Sequence, residues 1–146
     1  MSRLYPDRPF LAASVAVFRD GRVLLAQRTG EAGAGCYSLP GGMVEVGERL
    51  EETALRELGE ETGVAATIAG FVDTVEVIIR DPDRRVRNHA VVCVFAGVWQ
   101  AGEGEIGPEA ADIRWVDPHD PGDLPMTEGL RAVLAKAVDL MTGEFA

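Results

Sequence analysis

Cysteine is scarce in this chain: Cys36 and Cys93 are the only two. Two thiols cannot build a disulfide framework, which excludes a small secreted scaffold held by bridges. Reduced thiols in a cytoplasm are the expectation, with one bridge as the alternative. No apolar run approaches the roughly 20 residues needed to span a bilayer. The opening segment, Met1 to Arg8, lacks the apolar stretch of a signal peptide. Cytoplasmic location with no membrane partner follows as an expectation. Basic residues are few, 14 Lys+Arg against 24 Asp+Glu, so the formal net charge is −10. Without a basic block the chain is a poor partner for a nucleic acid polymer or an anionic membrane. Repeats, low-complexity tracts and linkers are absent. The 146 residues fit one domain, 1–146. Hydrophobic residues at 47% and charged residues at 26% describe a folded globule rather than a disordered segment.

Residues 10–18 are apolar and read as a strand. Asp20-Gly21 is a favoured two-residue hairpin turn, so 23–28 should return antiparallel. The glycine-rich stretch 29–47, with Pro40, reads mostly as loop. Residues 49–62 are helix-like and stop at Gly63. Two β-branched runs, 66–79 and 86–99, flank a turn at 81–85. A polar loop over 102–108 precedes a short strand at 113–116. Thr127 is placed to cap a last helix through Met141, with Leu130, Val133, Leu134, Ala137 and Met141 on one face. Several strands are apolar on both faces, which predicts an α/β (α+β) fold, a mixed central sheet between two main helices.

The chemistry concentrates between Gly42 and Val64. At about 100° per residue, Glu57, Glu60 and Glu61 fall within an arc of about 100°. Leu50, Ala54, Leu55 and Leu58 occupy another side. Like charges at this spacing repel, and acidic groups in the last turn oppose the helix dipole. Such a conflict invites a compensating cation, and hard oxygen donors suit Mg²⁺ or Mn²⁺. A solvated acidic face is the bland alternative. The preceding Ser38-Leu39-Pro40-Gly41-Gly42 turn weighs against it, since glycine lets backbone carbonyls approach a ligand.

Gly42, Glu48, Arg56, Glu57, Leu58, Glu60, Glu61, Gly63 and Val64 stand at the spacing of the Nudix hydrolase signature, which this chain therefore resembles. The order of elements on either side is similar to that family's α/β/α sandwich, and the chain resembles its compact bacterial ADP-ribose pyrophosphatase-like branch. The resemblance implies a metal site of Glu57, Glu60 and Glu61 with the carbonyl of Gly41 or Gly42. It implies that Glu48 and Arg56 tie loop to helix. Tyr37 stands where the family often has Trp, a position that reads as packing. Glu109 is the candidate for a further acidic residue, with Glu103 and Glu105 as rivals, and the general base is left open among Glu57, Glu60 and Glu109. Arg28 is a candidate phosphate contact.

The implied reaction is hydrolysis of the pyrophosphate linkage in a nucleoside diphosphate joined to another group, ADP-ribose or a similar NDP-sugar first. Rivals within the class are (oxidised) nucleoside triphosphates and dinucleoside polyphosphates. Tyr5, Phe10, Phe71 and His89 are candidates for reading a base, with core packing as the alternative for the two Phe residues. A non-catalytic nucleotide-binding regulator of the same fold is the alternative of another class. A diphosphate isomerase using Cys36 is disfavoured by the uninterrupted signature. The expected partner is a nucleotide, and association as a homodimer is left open.

Overall fold

In the computed structural model, residues 3–29, 34–108 and 110–144 are described. The apolar N-terminal run forms β1 (Phe10–Arg19), and Asp20-Gly21 turns it into β2 (Arg22–Arg28). Both turn residues have positive φ, 50° and 76°, the geometry whose twist suits a tight hairpin. Two short strands follow, β3 (Tyr37–Ser38) and β4 (Gly41–Met43), inside the stretch expected to be mostly loop. Then come α1 (Leu50–Thr62), β5 (Ala65–Arg80), β6 (Val86–Ala101), β7 (Ala110–Val116) and α2 (Leu130–Glu144).

The sheet is mixed, as the two-faced apolar strands predicted. β1 pairs in parallel with β6 from Phe10 opposite Ala90 to Phe18 opposite Val98. β6 pairs antiparallel with β5. β1 and β2, in contrast, pair only next to their turn, at Phe18–Val23 and Arg19–Arg22. Beyond it they part. β4 lies along β1 at Ala12–Ser14, while β2 pairs with β7 and β3. The glycine-rich stretch thus enters the split between the two strands. Gly41 is required there: a Cβ on it would come within 2.5 Å of the Ala13 carbonyl oxygen and the Ser14 Cβ.

Alternation along the central strands feeds two cores. Val15, Val17 and Leu24 meet Ala54 and Leu58 of α1, together with Cys93 and Phe95. Ala16, Val23 and Leu25 meet Leu130, Val133, Leu134 and Ala137 of α2 on the other face. Leu24, Leu25, Leu58 and Leu134 are fully buried, each contributing roughly 1.5–3 kcal/mol. The result is the expected α/β/α sandwich. Among the described residues no helix is long and apolar enough to cross a membrane.

Three boundaries differ from expectation. β7 begins at Ala110, three residues before Ile113. α2 begins at Leu130 and reaches Glu144, beyond Met141. Thr127 does not cap it by its side chain: the hydroxyl hydrogen-bonds Ser38 Oγ at 3.2 Å. Gly129, at φ 84°, interrupts the helical path just ahead of Leu130.

Candidate metal and catalytic site

α1 starts where the Arg49 N–H donates to Glu52 Oε1 at 3.0 Å, an acidic first turn that suits the helix dipole. It stops at Gly63 in the left-handed region, φ 72°, whose N–H reaches the Gly59 carbonyl at 2.9 Å. Thr62, fully buried, closes the end by donating to the Leu58 carbonyl and accepting from the Val64 N–H. One face of the helix is thereby fixed on the sheet, and the neighbouring face presents its carboxylates.

The loop ahead of α1 is pinned from both ends. Pro40 accepts the Val15 N–H at 3.1 Å, and the Val44 N–H donates to Leu11 at 2.9 Å. This seats Gly42 against Glu57: a Cβ on Gly42 would lie 2.5 Å from the Glu57 carboxyl carbon. Only a glycine leaves that carboxylate its place beside the backbone.

Arg56 is the hub. Its Nε donates to Glu48 Oε2 at 2.6 Å and its Nη2 to Glu48 Oε1 at 3.1 Å. Nη1 donates to Glu57 Oε1 at 2.9 Å and Glu60 Oε2 at 3.2 Å, and Nη2 also reaches the Met43 carbonyl at 3.2 Å. Glu48 further accepts from the Thr53 hydroxyl at 2.6 Å and from the Glu45 N–H. These donors, Arg56 first, hold the Glu48 carboxyl at about 2, since each favours the charged form. The Arg56 guanidinium is in turn pushed up by Glu48, with Glu57 adding to the effect. The loop-to-helix tie therefore consists of a forked guanidinium–carboxylate pair with a buried threonine beneath it. Thr53 was not anticipated. It lies within the unspecified stretch between Glu48 and Arg56, and nothing in the local pattern marks it.

The remaining candidates are placed as follows. Glu60 is exposed and Glu61 half-buried on the last turn of α1. Glu103 is engaged with Arg19. The Glu105 side chain is exposed, and its N–H donates to the Thr62 carbonyl at 2.7 Å. Glu109 lies outside the described residues. Arg28 is exposed at the end of β2, opposite Ala110. Tyr5 is committed to the β5–β6 turn, its hydroxyl on Asp81 at 2.6 Å and its ring under the Arg85 guanidinium at 3.9 Å. Phe71 is half exposed and meets Phe95 edge-on. Phe10 and His89 are part-buried on neighbouring strands. Cys36 and Cys93 are both free thiols. A half-open cavity of about 260 Å³ between α2 and residues 118–121 touches none of these carboxylates.

The expected donors, Glu57, Glu60, Glu61 and the carbonyl of Gly41 or Gly42, are all hard oxygen, which fits a divalent cation of the Mg²⁺ type. The close seat of Glu57 on Gly42 also fits. Among the described residues, however, no three acidic, His or Cys side chains gather closely enough to surround an ion. In this arrangement the Arg56 guanidinium supplies the positive charge between Glu57 and Glu60.

Sheet, flanking helices and the acidic face of α1 together define the class, an α/β/α sandwich with a carboxylate-bearing helix packed on its sheet. The NUDIX domain model matches residues 8–137, and the chain belongs to the Nudix family. An ADP-ribose pyrophosphatase of Methanocaldococcus jannaschii is 34% identical over 115 residues, 79% of this chain and 65% of that protein. A CTP pyrophosphohydrolase of Escherichia coli is 32% identical over 126 residues, 80% of this chain and 87% of that one. The crystal structure of a MutT NUDIX hydrolase from Burkholderia pseudomallei superposes with a TM-score of 0.77 at 30% identity, covering 89% of this chain and 98% of that one. The family comprises pyrophosphatases and pyrophosphohydrolases, hydrolases of phosphoric anhydrides, which generally use divalent metals.

Proposed function

We propose that this protein is a metal-dependent hydrolase that cleaves the pyrophosphate linkage of a nucleoside diphosphate joined to a second group, with ADP-ribose or a similar NDP-sugar as first choice. The observation that carries the reading is the seat of Glu57 on Gly42 at the head of an acidic helix face. Glu57, Glu60, Glu61 and the Gly41 or Gly42 carbonyl would hold Mg²⁺ or Mn²⁺. When bound, the ion supplies charge neutralisation for the anhydride and a water of lowered pKa. The chain's own part is to orient and to accept a proton. Arg56 and Glu48 lock the loop and so keep Gly42 seated against the Glu57 carboxylate. A carboxylate oxygen not used as a ligand, on Glu57, Glu60 or Glu109, takes the proton of the attacking water. Arg28 is the proposed phosphate contact.

Gly42 lies in one lateral row with Ala13, Cys93 and Thr74. The next row on the same face toward the β5–β6 turn, two residues on, holds Leu11, Val91 and Glu76, followed by His89 and Ile78. Leu11 and Ile78 are 47% and 45% exposed. This partly apolar strip beside the carboxylates supports a seat for a nucleoside or sugar. The domain is proposed to work as one unit over 1–146, in the cytoplasm. A nucleoside triphosphate is the second reading, favoured by the name of the Escherichia coli relative. Chromatography of products from ADP-ribose, other NDP-sugars, CTP, oxidised dNTPs and dinucleoside polyphosphates separates them. ADP-ribose should give AMP and ribose 5-phosphate without pyrophosphate. Pyrophosphate as the dominant product would promote the triphosphate reading. Binding without turnover of any of these compounds would indicate a regulator.

A further inference from the structure

Trp99 and Trp115, the chain's two tryptophans, face a single guanidinium. The Arg19 Cζ lies 3.9 Å from the centre of the Trp99 ring and 5.7 Å from that of Trp115. The same guanidinium donates to both oxygens of Glu103, at 2.8 and 3.2 Å. Both indole N–H groups are used on the same loop: Trp99 donates to the Gly102 carbonyl at 2.6 Å and Trp115 to the Glu103 carbonyl at 2.9 Å. Three strands, β1, β6 and β7, thus grip Gly102 and Glu103 together.

Beyond the grip, the loop runs onto the end of α1. The Glu105 N–H donates to the Thr62 carbonyl at 2.7 Å. A Cβ on Gly102 would lie 2.6 Å from the Gly63 carbonyl oxygen, and one on Gly107 would lie 3.0 and 3.2 Å from those of Glu60 and Glu61. Helix ends leave their last carbonyls without intrahelical partners, and this end has no basic residue to answer them. The loop fills that role in the very turn that carries Glu60 and Glu61.

We infer that the Arg19–Trp99–Trp115–Glu103 cluster is a positioning device, which docks the 102–107 loop on the last turn of α1 and thereby sets the orientation of Glu60 and Glu61 toward a divalent cation. Arg19 acts through that turn and is a positioning residue. The inference rests on the metal reading proposed above. A forked guanidinium–carboxylate pair fixes direction as well as distance, and outer partners of metal ligands alter affinity by about 10–100-fold.

The test is calorimetric titration of the full chain with Mn²⁺, alongside the melting temperature without metal. Because Arg19 acts through the loop, Arg19→Gln should weaken Mn²⁺ binding several-fold, short of the about 10–100-fold for a group bonded directly to a ligand. Arg19→Lys keeps the charge but not the fork and should fall between. Gly107→Ala leaves the tryptophan cluster intact, presses on the Glu60 and Glu61 carbonyls, and should weaken Mn²⁺ in the same direction. It also carries the test where Arg19→Gln fails to fold. Lys136→Ala, which removes the surface ion pair between Lys136 on α2 and Asp73 on β5, should leave Mn²⁺ affinity unchanged. Wild-type affinity in both Arg19→Gln and Gly107→Ala would overturn the clamp while leaving the metal reading intact, and so would an equal loss in Lys136→Ala. Absence of Mn²⁺ binding by the unaltered chain would overturn the metal reading and the clamp with it.

Discussion

Glu48 shows how a single carboxylate ties local chemistry to stability. Its folded pKa of about 2 lies below the ordinary value of 4.5. A depressed carboxylate stabilises the fold fully above its unfolded pKa, and that contribution is lost as pH falls from about 4.5 through about 2. Asp73, Glu103 and Asp112 are depressed in the same direction by Lys136, Arg19 and Tyr37 respectively, so all four act with one sign. Melting curves between pH 6 and 2 should show stability falling with acid, and Glu48→Gln should be less stable at neutral pH with a shallower fall. An identical acid profile in Glu48→Gln would contradict the assignment. Arg56→Ala leaves Glu48 and Glu57 facing each other with little solvent, their side chains 14% and 13% exposed. It should cost roughly 3 kcal/mol, the low end for breaking a buried pair because the guanidinium itself is partly exposed. Activity should fall with stability, and loss of activity at unchanged melting would overturn a supporting role. Gly42→Ala drives a methyl into the Glu57 carboxylate. It should displace the end of that flexible side chain at little cost in melting temperature and weaken Mn²⁺ binding, both readable by calorimetry.

At the scale of elements, α1 depends on two faces that can be damaged separately. Leu58→Ala removes a fully buried side chain from the α1 core and should cost about 2–5 kcal/mol in denaturant unfolding, while the surviving folded fraction keeps its activity per molecule. How much of this was legible in the sequence differs by element. The limits of α1 were readable because the periodicity, the acidic first turn and Gly63 are all local signals. The three-layer packing was readable from strands apolar on both faces. The split between β1 and β2 was not, because nothing in a hairpin pattern says that pairing stops after two residue pairs. The onset of α2 was misread because Gly129 lies between an apparent cap, Thr127, and the first helical residue. Around the candidate site, the Glu48–Arg56 contact was legible through the spacing of the family signature, and the metal role of the carboxylates stays a proposal. Thr53 and the Arg19 cluster were not legible. Arg19 and Glu103 are 84 residues apart, and only the fold brings them together.

For the whole molecule, the charge of −10 sets the terms on which a phosphate compound can approach, and a divalent ion is the counterweight the account requires. Mg²⁺ at about 100 times its dissociation constant should stabilise the folded state by about 2.7 kcal/mol, roughly 5–10 °C in melting temperature for a chain of this size. EDTA should abolish turnover and leave the fold intact, since two cores independent of the metal hold the sandwich together. Unfolding on chelation, followed by circular dichroism, would instead make the site structural. The most direct measurement is the rate of nucleoside monophosphate release at saturating Mg²⁺ from the unaltered chain, Glu60→Gln and Glu61→Gln. The account predicts a loss of about two orders of magnitude or more in each variant. Melting should change little in Glu60→Gln, because the exposed ion pair it gives up with Arg56 is worth only about 0–1 kcal/mol. Near wild-type rates in both variants would contradict the claim that this helix face holds the catalytic metal.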